Sequence, residues 1–421
     1  MRMAVILFIN IVLVVCCGGM PAGADDGHDV YQNASKRALP HINRHFITSN
    51  SLQETRAIDV ALPVNYQETA DTHKYPVIVV MDGELMFPMV SGLVHQMTAN
   101  SQMPDSIVIG IYNAAGKRRS ITPKPFNREG KPYWFGGKEN DYLDFLKAEV
   151  LPFVEGEYRA ADFRTLIGLS PTANFTLHAF WKAPDVFDAY VAINSTDFTA
   201  VGYEGETVFS KITDTLTSGV GEKRFLYLSM PQAGVSRNPQ IAEAYTRLDE
   251  QLRGLGGDRI LLKTDVIEKS AYAATLPAVM NALEMIFPAK KWDPDFRNFI
   301  LDKPGQSLEA LKTYFANLSG EYGFTALPKG ERFYNRSRIK RLGYYMLQND
   351  RAQEAADVFK YWITLYPNSA NAYDSLADVQ DKLGLMKDAL ASRQKAVELA
   401  KRNNDFRLSH FEEKLLQADV R

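Results

Sequence analysis

The residues with the clearest chemical signature are Gly168, Leu169 and Ser170, which follow the run Thr165-Leu166-Ile167 and precede a helical pattern. A strand, a tight turn and a helix with serine at the turn is the plan of a nucleophile elbow, which presents a hydroxyl to an acyl carbon. Here the plan is altered. Pro171 directly follows the serine, and Thr172 takes the last position of Gly-x-Ser-x-Gly. A serine hydroxyl needs an adjacent base before it attacks. The plain structural alternative is that Ser170 is a helix cap in front of Pro171, since proline at the first helical position is a favourable start. Asp82-Gly83, with Glu84 beside it, reads as ordinary turn chemistry after a strand.

The surrounding sequence predicts the elements that must hold these residues. Thr55 to Pro63 alternates apolar and polar like a half-buried strand, whereas Tyr75 to Met81 and Ser106 to Tyr112 are unbroken apolar runs. Such runs suit strands covered on both faces, as in a parallel sheet. Tyr142, Phe145, Leu146, Val150, Leu151 and Phe153 recur at helical spacing, and a helix carrying Phe175, Leu177, Ala179, Phe180 and Trp181 follows the elbow. Strands are expected at Ala189 to Ile193, Arg224 to Met230 and Arg259 to Ile267, with helices over about 239–255 and on to Phe287. Alternation of this kind gives an α/β doubly wound, mostly parallel sheet, with ligands beyond the carboxyl ends of its strands.

After Pro288 the pattern turns wholly helical. Residues 336–369 carry Leu342-Gly343, Ala355, Phe359 and Pro367 at the offsets of a tetratricopeptide unit, and residues 370–403 repeat them with Leu376-Ala377, Ala389 and Leu399. The second copy has Arg393 and Lys401 where the first has Phe359 and Pro367. Two units fall short of the roughly three needed for independent stability, so they are expected to pack on neighbouring helices or on the sheet.

Composition bounds the function. Ala4 to Cys17 is a 14-residue run, apolar but for Asn10, between Arg2 and the small-residue site Ala22-Gly23-Ala24. It is too short to span a bilayer and reads as a signal peptide over residues 1–24, with mature chain from Asp25, periplasmic or secreted. Both cysteines lie in it, so the mature chain has no disulfide, thiol nucleophile or thiolate metal site. The 48 basic and 50 acidic side chains give no basic field that suggests nucleic acid or anionic lipid. No phosphate-cradling glycine loop or His-Glu-x-x-His pair is present, and neither cofactor nor metal is expected. Gly136-Gly137 belongs with Tyr133-Trp134-Phe135 to a flap over the pocket rather than to a nucleotide site.

The chain resembles the putative-esterase family of α/β-hydrolases, the group with esterase D and the siderophore-lactone esterases. The resemblance is carried by Val77 to Gly83, Val108 to Ile111, Arg119 to Pro123, Phe145 to Arg164, Leu166 to Ser170, Phe187 to Ile193 and Thr275 to Ala278. It implies an α/β-hydrolase fold over residues 25–290, followed by an all-α tetratricopeptide-like domain over 291–421. It also implies a serine nucleophile, a late histidine as base and usually an orienting acid.

Set against the family's pattern, Ser170 stands at the nucleophile position, and the histidine position falls on Ala271. Pro171 has no N–H to give an oxyanion, which leaves Gly83 and Glu84 as the other residues of the pocket rim. Thr172 is expected to push the helix away or to relax the turn, and proline to restrict the serine before it. Residues Pro231 to Pro239, where the acid would stand, hold no carboxylate; the next is Glu243. His178 lies eight residues past Ser170, about 12 Å along a helix at 1.5 Å per residue, and His28, His41, His45, His73, His95 and His410 lie outside the late loop. Lys269 could replace the base if it were buried, but Glu268-Lys269-Ser270 alternates like a solvated loop. These vacancies lead to a pseudo-hydrolase that binds an ester-like small molecule, or a protein partner along the repeats. The alternative is an active carboxylic or lactone esterase with a non-standard base.

Overall fold

A computed structural model describes residues 41–419, apart from 127–129, 196–200, 204–205, 220–222, most of 238–258, 271 and 331–337. Among the described residues, an eight-stranded sheet carries the fold. Its strands are β1 (His41–Ser49), β2 (Glu54–Leu62), β3 (Tyr75–Val80), β4 (Ile107–Ile111), β5 (Ala160–Leu169), β6 (Ala189–Ile193), β7 (Arg224–Pro231) and β8 (Ile260–Ile267). Their order across the sheet is β1-β2-β4-β3-β5-β6-β7-β8, and β2 alone runs against the rest. The apolar runs are the central strands. Every residue of β3, β4, β6 and β7 is buried, because helices cover both faces.

One face is covered by α1 (Gly83–Ala99) and α7 (Thr275–Ile286). The other takes α2 (Glu139–Phe145), which continues through one π turn at Leu146–Val150 into α3 (Leu151–Glu157), together with α4 (Pro171–Lys182) and α5 (Val208–Ser218). A short α6 (Gln232–Arg237) follows β7. β1 has no counterpart among the expected strands, because the exposed apolar Ile42 and Phe46 break the usual polar alternation of an edge strand. The helix expected over 239–255 lies largely outside the described residues.

The later helices are α8 (Gln306–Tyr322), α9 (Arg338–Gln348), α10 (Ala352–Leu365), α11 (Ala370–Lys382), α12 (Met386–Arg402) and α13 (Leu408–Asp419). α9–α10 and α11–α12 form two hairpins, and α12 starts at Met386 where α10 starts at Ala352, an offset of 34. In the first hairpin Gly343 lets Phe359 lie against the helix, since a Cβ there would meet the ring at 2.3 Å. In the second hairpin Ala377 and Arg393 hold these places, and the buried Arg393 turns to Asp381 at 2.6 Å and Asp378 at 3.3 Å. Lys414 of α13 pairs with Asp374 and Asp378, each at 2.8 Å, so a further helix covers the last hairpin.

The helical region and the sheet share one core. Phe163 and Phe225 from the sheet meet Phe287, Trp292, Tyr322 and Phe324 in a continuous aromatic cluster. Beside it Lys329 pairs with the partly buried Asp105, which also accepts from Asn65 at 2.8 Å. The two hairpins therefore do not stand alone.

Candidate active site

β5 ends at Leu169, and Ser170 turns the chain into α4 with φ 58° and ψ −111°. That backbone is rare for a residue with a side chain, and strain of this kind costs on the order of 1–3 kcal/mol. The turn is held by the Ser170 N–H, which donates to Ile193 O at 2.8 Å, and by Ser170 O, which accepts from Ala173 and Asn174. The hydroxyl makes no capping bond, and half-exposed Ser170 has no side-chain hydrogen bond among the described residues. Its geometry is thus that of an elbow rather than of a side-chain cap.

The turn is not relaxed and the helix is not displaced. A Cβ on Gly168 would meet Thr172 O at 2.3 Å and Thr176 Oγ1 at 2.4 Å, so strand and helix touch there. Thr172 is fully buried and does the opposite of what its bulk suggested. Its hydroxyl accepts the Leu169 N–H at 2.7 Å and lies 2.9 Å from Asp82 Oδ2 and 3.0 Å from Leu169 O. It stitches the elbow together.

Asp82 is a turn residue, as its sequence suggested, with φ 54° and ψ 50°. It is also the centre of a buried polar cluster. Arg118 Nε and Nη2 donate to its two oxygens at 2.8 and 2.7 Å, and Asn113 Nδ2 donates at 2.6 Å. Nη2 of Arg118 also reaches Leu169 O at 3.1 Å. Four donors satisfy a carboxylate taken out of water, the condition for keeping a charge there. Arg118 is held in its charged form above its ordinary range, first by the hydrogen bonds to Asp82, with Tyr272 and Glu84 adding to the field. Arg118 and Asn113 were not singled out in the sequence. The signal was a buried acid in need of a cation, close to the basic run Lys117-Arg118-Arg119.

Gly83 opens α1 in contact with β4, where a Cβ would meet Gly110 C at 2.9 Å. Leu85 and Met86 N–H take Asp82 O, while the Gly83 and Glu84 N–H groups belong to the first turn, which has no intrahelical acceptor. Exposed Glu84 accepts from Asn113 N and Nδ2 at 3.1 and 2.8 Å. Pro171 begins α4 without an N–H to offer.

The other candidates fall as follows. Ala271 lies outside the described residues. Lys269 is exposed, its N–H donates to Ile267 O at 2.7 Å, and no hydrogen bond joins it to Ser170. His178 is buried in α4, 3.2 Å from Asn140 Oδ1, and burial pushes it down to about 4, so it is a neutral core histidine. His410 lies on α13 against Phe411. In the segment between β4 and α2, Phe135 lies under Arg119, while Trp134 is 85% exposed.

Residues 49–201 match the family model described as putative esterase. No curated protein matches the chain. An IroE-like serine hydrolase from Shewanella oneidensis is similar in structure, with TM-score 0.58 and 17% identity over 76% of this chain and 98% of that one. An uncharacterised protein from Capnocytophaga ochracea gives TM-score 0.55 and 18% identity over 89% and 100%. With the sheet order and the elbow, these likenesses show an α/β-hydrolase-like fold followed by a helical region, in which residues 49–201 carry the sequence signature of the esterase family.

Proposed function

We propose that the chain is a serine hydrolase of carboxylic or lactone esters with Ser170 as nucleophile. The observation that carries this reading is the backbone of Ser170 at φ 58°, ψ −111° with an uncommitted hydroxyl, strain that a helix cap does not need. The esterase signature over residues 49–201 supports it. Lys269, near the position that Ala271 leaves without a histidine, is exposed and lacks the burial that a lysine base needs, and the Gly83 and Glu84 N–H groups are the backbone donors at the rim.

The second reading is a pseudo-hydrolase that binds an ester-like ligand, favoured by Pro171 and by the absence of a carboxylate from residues 231–239. In either case we assign residues 1–24 to a cleaved leader, place the protein in the periplasm or outside the cell, and read the hairpins of α9 to α12 as tetratricopeptide-like units offering a protein groove. Short-chain aryl esters incubated with purified protein separate the two readings: the hydrolase gives turnover that Ser170→Ala abolishes, and the binder gives none with either protein.

A further inference from the structure

The near balance of charge over the whole chain hides a local excess. Between β4 and α2 the described residues 113–126 and 130–138 hold Lys117, Arg118, Arg119, Lys124, Lys131 and Lys138, and no acid. Two of these cations are engaged within the protein, Lys117 by Glu54 and Arg118 by Asp82. Lys124 and Lys138 are exposed and make no ion pair among the described residues. Arg119, also exposed, lies over the Phe135 ring, 5.5 Å from its centroid.

The segment is a built arm. The Gly137 and Lys138 N–H groups donate to Thr122 O and Ser120 O at 2.9 and 3.0 Å, and the Tyr133 N–H donates to Pro125 O at 2.8 Å. Phe126 and Pro132 form an antiparallel bridge, and a Cβ on Gly136 would meet the Lys124 backbone at 2.9 Å. This arm holds Tyr133 and Trp134 out in solvent, the tryptophan 85% exposed. At the same carboxyl end of the sheet, Leu85 in the first turn of α1 and Tyr272 and Leu276 at the start of α7 are exposed as well. Single exposed apolar side chains are ordinary, but a group of them around the half-exposed Ser170 marks a surface that meets something apolar. Tryptophan and tyrosine rings settle at the headgroup level of a bilayer, and nearby lysines and arginines are drawn to its anionic lipids.

We infer that the arm and the apolar rim dock the protein on an anionic lipid surface without spanning it, with the elbow facing the bilayer. Glu139 and Asp141, which follow the arm at the start of α2, reduce the attraction, so the aromatic rings carry part of the affinity. Docking does not need Ser170 to be a nucleophile. With Ser170 as nucleophile, the esters it meets are those held in the lipid surface, and that part alone rests on the hydrolase reading.

The test is co-sedimentation of the full chain with vesicles of phosphatidylcholine, alone or with about one third phosphatidylglycerol, read together with tryptophan fluorescence. Of the four tryptophans Trp134 alone is largely exposed, so the emission should shift to the blue on binding. Binding is expected with the anionic vesicles only, and should weaken as salt rises. Lys124→Glu with Lys138→Glu should weaken it about twenty-fivefold or more, at about fivefold for each cation removed. Trp134→Ala should weaken it about tenfold and remove the blue shift. Lys360→Glu with Lys387→Glu makes the same change of net charge on exposed positions of α10 and α12, and should bind as wild type. Ser170→Ala should also bind as wild type, and a wild-type protein that binds vesicles but turns over no ester keeps this inference while losing the hydrolase reading. The inference is overturned by a wild-type protein that ignores anionic vesicles at low salt, by undiminished binding in the Lys124 and Lys138 variant, or by equal losses in the two double variants. A Trp134 emission shifted by polyglutamate and not by vesicles would assign the arm to an acidic protein and overturn it too.

Discussion

Thr172 Oγ1 lies 2.9 Å from Asp82 Oδ2, so the last residue of the elbow motif is tied to the acid that stands between β3 and α1. Asp82 is fully buried in the pair with Arg118. Removing the cation by Arg118→Ala leaves a charge without its counterpart, and should cost about 3 kcal/mol, the lower end for a buried pair because Arg118 keeps some solvent. Urea denaturation measures it. The double variant with Asp82→Asn should recover most of the loss, and a double variant as unstable as the single one would show that the pair contributes through shape alone.

The strain at Ser170 predicts a stability gain with a functional loss. Glycine adopts φ 58°, ψ −111° freely, so Ser170→Gly should raise stability by about 1 kcal/mol while removing the hydroxyl. Thermal melting of wild type and variant checks this. A lower melting temperature in the variant would mean that the elbow is not strained.

Gly168 sets how closely α4 approaches β5. Gly168→Ala places a Cβ 2.3 Å from the backbone oxygen of Thr172, which cannot yield as a flexible side chain would. The expected cost is about 1–3 kcal/mol by denaturation, the range for overpacking. An alanine variant of wild-type stability would contradict the close crossing.

His178 makes stability pH-dependent. Burial, then Lys182 and Lys211, push it down to about 4, against about 6.5 in an unfolded chain. Between these values the unfolded chain binds a proton that the folded one refuses, so the stability present above pH 6.5 is lost as pH falls toward 4. From pH 7.5 to 5 this residue should account for about 2 kcal/mol. His178→Gln should flatten that part of the profile in urea titrations at the two pH values. Identical slopes for variant and wild type would place His178 in a wetter setting.

The long apolar runs of β3, β4, β6 and β7 were legible because burial on both faces leaves no alternation to misread, and the serine turn was legible from Gly168 and Ser170. β1 was not, since Ile42 and Phe46 point outward and its pairing with β2 is a tertiary choice. Thr172 was legible as an anomaly but its effect was not: in sequence it is bulk in place of glycine, and only its neighbours 90 residues away at Asp82 make it a bridge. Asp82 likewise reads as a turn residue until Arg118 and Asn113 meet it.

The measurement that bears most directly on the central claim is the intact mass of the purified protein after exposure to a fluorophosphonate. If Ser170 is a working nucleophile, wild type gains one phosphonyl group, peptide mapping locates it on Ser170, and Ser170→Ala gains none. An unmodified wild-type protein, or equal modification of Ser170→Ala, would contradict the account.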